Sequence, residues 1–206
     1  MNNSLHKDFV NTAVGFSKSL ATDIAATGPL TIPSRKHQGI GEFLSRVIIG
    51  QQLSTKAAAT IWQRVRVAAK QDHTRVIDFF QEKNIQALRD CGVSGNKAKA
   101  LLAINEAVSE GTLSTRKLNR FSTEERNAAL ISIHGVGRWT ADMASIFFFN
   151  DLDVWPDGDL SVVKVFERYL TKRQSKAADR YAARFSPNRS YLAYYMWHLA
   201  DGVPTE

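Results

Sequence analysis

Apolar residues in this chain recur every three or four positions along most of its length, and that spacing restricts the fold more than any single motif. Phe43, Leu44, Val47 and Ile48 share one helical face, as do Val162, Val163, Phe166, Tyr169 and Leu170, while Leu101, Leu102 and Ile104 continue the pattern between them. No run alternates apolar and polar residues as a half-buried strand must, no Asn-Gly or Asp-Gly links two such runs, and Asp157-Gly158 leads into a helix. The fold class is all-α, with about ten short helices joined by short loops.

Breakers set the element boundaries. Thr27-Gly28-Pro29 through Pro33-Ser34 separates an N-terminal helix from the remainder of the chain. Ser54 starts a helix that runs to Ala69, and Cys91-Gly92-Val93-Ser94-Gly95 breaks the chain before a helix over Asn96 to Ser109. Ser122 is a hydroxyl cap followed by the first-turn acids Glu124 and Glu125. Gly135-Val136-Gly137 and Trp155-Pro156-Asp157-Gly158 make the next breaks, and Pro187 precedes a last helix from Ser190 to Ala200. The apolar patch Met143 to Phe149, bracketed by Asp142 and Asp151, reads as buried core.

Composition narrows the function classes. The 206 residues are enough for one large domain or two small ones. Lys+Arg 27 against Asp+Glu 20 gives a net charge of +7, which favours a polyanionic partner but fits a solvated basic surface equally well. Cys91, the sole cysteine, rules out an intramolecular disulfide, a multi-cysteine zinc site and a four-cysteine iron–sulfur cluster, and fits a reducing, intracellular and cytoplasmic setting. The first twenty residues carry Asn2, Asn3, His6, Lys7, Asp8 and Lys18 among their apolar positions, so no signal-peptide core is present. No stretch approaches the ~20 apolar residues of a membrane span, so no membrane partner is expected.

The segment that carries chemistry is Leu130-Ile131-Ser132-Ile133-His134-Gly135-Val136-Gly137-Arg138-Trp139-Thr140-Ala141. One helix ends, two glycines permit a tight turn, and a second helix begins at once with its N–H groups pointing outward, which makes an anion site. A plain helix connection with a C-terminal glycine has the same signature. Asp159, directly before Leu160-Ser161-Val162-Val163, is either an N-cap or a functional carboxylate, and the two are compatible because a helix start lies at a surface mouth. Asp157 is its local competitor.

Gly-Val-Gly-Arg-Trp-Thr-Ala at residues 135–141, followed by a hydrophobic helix and Trp155-Pro156-Asp157-Gly158-Asp159-Leu160, resembles the helix-hairpin-helix superfamily of DNA base-excision glycosylases, and within it the DNA-3-methyladenine glycosylase II branch. Ile49-Gly50-Gln51-Gln52-Leu53-Ser54 is similar to the family's early motif, Gly92-Val93-Ser94 with Lys97-Ala98 to its middle turn, and Pro187-Asn188-Arg189-Ser190 with Trp197 to its C-terminal helix. The resemblance spans about residues 35–200.

The resemblance implies two helical lobes around a DNA-binding cleft, one lobe over roughly 35–130 and the other built from 131–206 with the N-terminal helix, together forming a single glycosylase core over 1–206 in the short form without an added N-terminal domain. It implies a monofunctional glycosylase that hydrolyses the N-glycosidic bond of 3-methyladenine-type bases in damaged double-stranded DNA, acting as a monomer. Asp159 would stabilise the sugar cation or activate water. Gly135, Val136, Gly137, Arg138 and Thr140 would grip the DNA backbone without reading sequence. Gln51, Gln52 and Leu53 would form the intercalating loop, against the alternative that the glutamines are exposed amides and Leu53 is core. Trp139 and Trp197 would line the base pocket, where an indole face attracts a cationic alkylated purine, while Trp62 and Trp155 read as packing residues. Carbonyls of Ile131, Ile133 and Val136 would hold a structural Na⁺ or K⁺; no other cofactor is required, and no iron–sulfur cluster is expected.

Relatives that also cleave the backbone place a lysine where this chain has Trp139, which implies a water-using enzyme. His134 stands where many relatives have proline, and Phe185 where they often have tryptophan. Lys97, Lys99, Arg116, Lys117, Arg120, Arg138 and Arg189 are candidate phosphate contacts. A glycosylase for uracil, hypoxanthine or a mismatch, and a non-catalytic DNA-binding module, are the alternatives; a pure binding module needs neither Gly158-Asp159-Leu160 nor the Trp197 helix.

Overall fold

A computed structural model describes residues 1–200, and no β-strand occurs among the described residues. In chain order the helices are α1 (Asn3–Val14), α2 (Lys18–Thr27), α3 (Ile40–Gly50), α4 (Thr55–Gln71), α5 (Ile85–Asp90), α6 (Gly95–Ser109), α7 (Thr115–Leu118), α8 (Thr123–Ile131), α9 (Arg138–Met143), α10 (Leu160–Arg168), α11 (Lys172–Ser175), α12 (Ala178–Ala182) and α13 (Arg189–His198). The expected starts hold for physical reasons. Ser54 accepts the Ala57 N–H at the head of α4, and Ser122 and Glu125 form a reciprocal capping box at the head of α8.

The chain divides into two compact units, one made of Met1–Pro33 with residues 150–200 and the other of Ser34–Phe149. In the central unit α3 buries Phe43, Leu44, Val47, Ile48 and Ile49, and it packs on α4, α6 and α9. Each such side chain contributes about 1.5–3 kcal/mol. Trp62 packs with Val65, Phe80, Leu88 and Leu101 in a cluster beneath α4 and α6. Met143 to Phe149 is buried throughout, and from Ala144 it winds as a π-helical turn. Phe148 meets Phe43 at 5.6 Å between ring centres, and the buried guanidinium of Arg126 lies 4.2 Å over Phe149. Residues 131–149, expected with the C-terminal lobe, therefore group with residues 34–130, because α9 and the π-turn pack on α3 and α8.

The other unit pairs α1 with α2 and α10 with α13. Aromatic rings fill it: Phe9 meets Phe185 at 5.0 Å with the rings tilted, and Trp155 meets Phe166 edge-on at 5.3 Å while its indole N–H donates to Asp179. Trp155, like Trp62, is a packing residue. Tyr169 donates to Asp23 at 2.6 Å and Tyr195 to the Gly28 carbonyl at 2.7 Å, tying the N-terminal helices to the C-terminal ones.

Candidate active site

The hairpin is built in the central unit. After α8 the chain turns through Ile133 to Gly137, closed by a 3.0 Å bond from the Val136 N–H to the Ile133 carbonyl, with the Val136 side chain buried as an anchor. Gly135 has φ +82, and a Cβ there would lie 2.3 Å from the Ala100 Cβ of α6. Glycine is needed twice over, for the left-handed backbone and for the close approach. Gly137 precedes α9 and offers no side-chain cap, so the first N–H groups of α9 face outward beside exposed Gly135 and Arg138. The carbonyls of Ile131 and Val136 accept no hydrogen bond from any described residue, and that of Ile133 accepts one, which leaves lone pairs suited to a monovalent cation.

The loop between α3 and α4 is tied to this hairpin. Gln51 donates its amide N–H to the buried Thr140 hydroxyl at 3.0 Å, and Lys97 of α6 donates to the carbonyls of Ile49 and Gln51 at 2.9 and 2.7 Å. Burial lowers the Lys97 ammonium from its ordinary value. Beyond this clamp the loop tip stands free of the core: Gln52 adopts φ +58, a conformation that costs a non-glycine residue about 1–2 kcal/mol, and Leu53 is 40% exposed.

The carboxylate lies in the other unit. Asp159 caps α10, and although only 6% exposed it is held on two sides: Oδ1 accepts the Val162 N–H at 3.0 Å and Oδ2 accepts the Trp197 indole N–H at 3.2 Å. Next to it Leu160 is 71% exposed, so this end of α10 reaches the surface while the Asp159 carboxylate stays covered. Asp157, the competitor, is exposed in the preceding turn.

No family model matches the sequence. DNA-3-methyladenine glycosylase 1 of Schizosaccharomyces pombe is 33% identical over 168 residues, covering 78% of this chain and 73% of the relative. The chain belongs to the DNA-3-methyladenine glycosylase family. Among solved structures, the Schizosaccharomyces pombe 3-methyladenine DNA glycosylase in complex with abasic DNA superposes with a TM-score of 0.81 at 26% identity, covering 97% of this chain and 99% of that one. A DNA-3-methyladenine glycosidase from Bacillus halodurans shares the fold, with a TM-score of 0.75 at 24% identity over 95% of this chain and 88% of that one.

Against the roles expected for a member of this glycosylase family, four side chains sit differently. Trp197 is fully buried, so its indole holds Asp159 instead of offering an open face to a base. Thr140 turns inward to Gln51 and offers its hydroxyl to the protein, not to a backbone phosphate. Lys97 is spent on the end of α3, and Arg189 forks onto Asp153 with bonds of 2.7 and 3.0 Å. Lys99, Arg116, Lys117, Arg120 and Arg138 are exposed, Arg138 with a 3.3 Å bond to Asp142. Trp139 is partly buried in the first turn of α9, and Phe185 is core.

The clamp role of Lys97, on the carbonyls of Ile49 and Gln51, is not among the roles expected from the sequence. A lysine in the first turn of a helix opposes the helix dipole, but Lys56 of α4 does the same and is exposed, so the position alone does not single Lys97 out. Among the described residues no group of three or more His, Cys, Asp or Glu side chains is placed to hold a metal ion, and no helix is long and apolar enough to cross a membrane.

Proposed function

We propose that this family member is a monofunctional DNA glycosylase that hydrolyses the N-glycosidic bond of alkylated bases of the 3-methyladenine type in duplex DNA, acting as a monomer. The observation that carries the reading is the Asp159 carboxylate, fixed by the Val162 N–H and the Trp197 indole at the head of α10. Departure of the base with the bonding electrons leaves positive charge on the sugar, and an oriented carboxylate stabilises it without reorganising. The same carboxylate orients the water whose oxygen bonds to the sugar carbon, and takes its proton. An alkylated purine is already cationic and leaves readily, so no strong acid is demanded of the protein.

The outward N–H groups of the hairpin bind a backbone phosphate. A Na⁺ or K⁺ on the carbonyls of Ile131, Ile133 and Val136 would add positive charge beside that phosphate. The loop tip supplies the plug for the vacated stack, and because the Gln51 amide is occupied by Thr140 that role falls to Gln52 and Leu53. Trp139 presents an indole to the extruded base. The test is release of free base from alkylated duplex DNA by wild type and Asp159→Asn: loss of release in a folded variant supports the assignment, and equal release overturns it.

A further inference from the structure

Beside the α3–α4 loop lies a pocket of about 100 Å³. Arg35 and Arg46 stand on it, and its floor is apolar, from Phe43, Val47, Leu53 and Ala58; no acidic residue lines it. Arg46, partly buried on α3, makes no hydrogen bond or ion pair with any described residue. Burial first, and then the charges of Arg35 and Arg66, push its guanidinium below the ordinary value, more than Glu42 on the same helix restores. Partly desolvated, crowded by like charge and with its N–H fork unengaged, Arg46 is placed for an external anion.

We propose that this pocket takes one sugar–phosphate unit of the DNA, with the phosphodiester on Arg46 and Arg35 and the deoxyribose on the apolar floor. A bare inorganic anion has no use for Phe43, Val47 and Leu53, and a purely apolar ligand has none for two arginines. The loop geometry sets its role. Gln51 faces the hairpin through Thr140, whereas Leu53 lines the pocket, so the wedge has a backbone grip on either side of it. Two anchors flanking an inserted side chain hold a duplex bent where its stack is opened.

The inference rests on the glycosylase reading, and the experiment separates the two. Binding of wild type, Arg46→Gln and Arg46→Lys to an abasic-site duplex is followed by fluorescence anisotropy over a salt series, with thermal melts to establish folding. Loss of one phosphate contact lowers the slope of log affinity against log salt by about 1. We expect R46Q to show that fall and about tenfold weaker binding, and R46K to keep the slope. A scan of single methylphosphonates along both strands should find one position that weakens wild type but not R46Q. Equal slopes for wild type and R46Q, or methylphosphonate losses that all add to the mutation, overturn the pocket and leave the glycosylase reading standing. Failure of wild type to bind the duplex at all overturns both. Should R46Q not fold, Arg35→Gln carries the same expectations.

Discussion

The indole N–H of Trp197 lies 3.2 Å from Oδ2 of Asp159, so a fully buried ring on the last helix fixes the carboxylate at the head of α10. Trp197→Phe keeps most of the ring volume and deletes that donor. Base release under single turnover should fall about tenfold, against a fall of about 100-fold or more for Asp159→Asn. Asparagine keeps the cap to Val162 but turns an NH₂ toward the indole N–H, so about 1–3 kcal/mol of stability should also go. Thermal melts alongside the assay separate the two effects; unchanged release by Trp197→Phe would remove Trp197 from the positioning role.

Lys97→Met leaves the carbonyls of Ile49 and Gln51 without their ammonium partner. Burial of the ammonium offsets part of what those bonds contribute, so a net loss of about 2 kcal/mol is expected in urea unfolding. The loop should loosen as well. A 2-aminopurine placed beside an abasic site reports stacking by the wedge, and its signal should change less on binding of the variant than of wild type.

Gly135→Ala combines a left-handed backbone with a clash against Ala100. The strain costs about 1–2 kcal/mol and the overpacking about 1–3 kcal/mol. Adding Ala100→Gly should recover the packing share only. Full recovery in the double variant would show that the backbone conformation costs nothing.

Tyr169 predicts an alkaline transition. Burial, then the bond to Asp23, pushes its phenol up to about 12 from an ordinary value near 10. A raised folded-state value means that its contribution is complete below about pH 10 and is lost as the pH rises to about 12. Urea midpoints for Tyr169→Phe should therefore decline less over that window than those of wild type. Tyr195, held at about 12 chiefly by burial, keeps part of the decline in both proteins.

Helix positions and the hairpin were readable from sequence because caps, glycines and three-and-four spacing are local signals. Ser54, Ser122 and Asp159 each cap a helix through an N–H three residues on, as their types suggested, and Gly135 takes the left-handed turn that glycine permits. Long-range partners were not readable. Nothing in the string around Lys97 says that the carbonyl of Gln51 waits 46 residues earlier, or that Trp197 would reach Asp159 across 38 residues instead of facing a base. Likewise Arg189 looks like any basic residue until Asp153 is beside it. The division of the chain after Phe149 depends on how α9 and its π-turn pack on α3, a tertiary preference that composition does not carry.

The two crossings of the chain, at Pro33–Ser34 and Phe149–Asn150, give the molecule an order of assembly. Among the described residues the central unit is one continuous stretch, complete once residue 149 has been made. The other unit is assembled from two separated stretches, so α1 and α2 leave the ribosome before α10 and α13 and must wait for them, and Gly28 for Tyr195. During synthesis the unit that carries the hairpin and the α3–α4 loop is therefore able to fold before the one that carries Asp159, which completes only when α13 emerges.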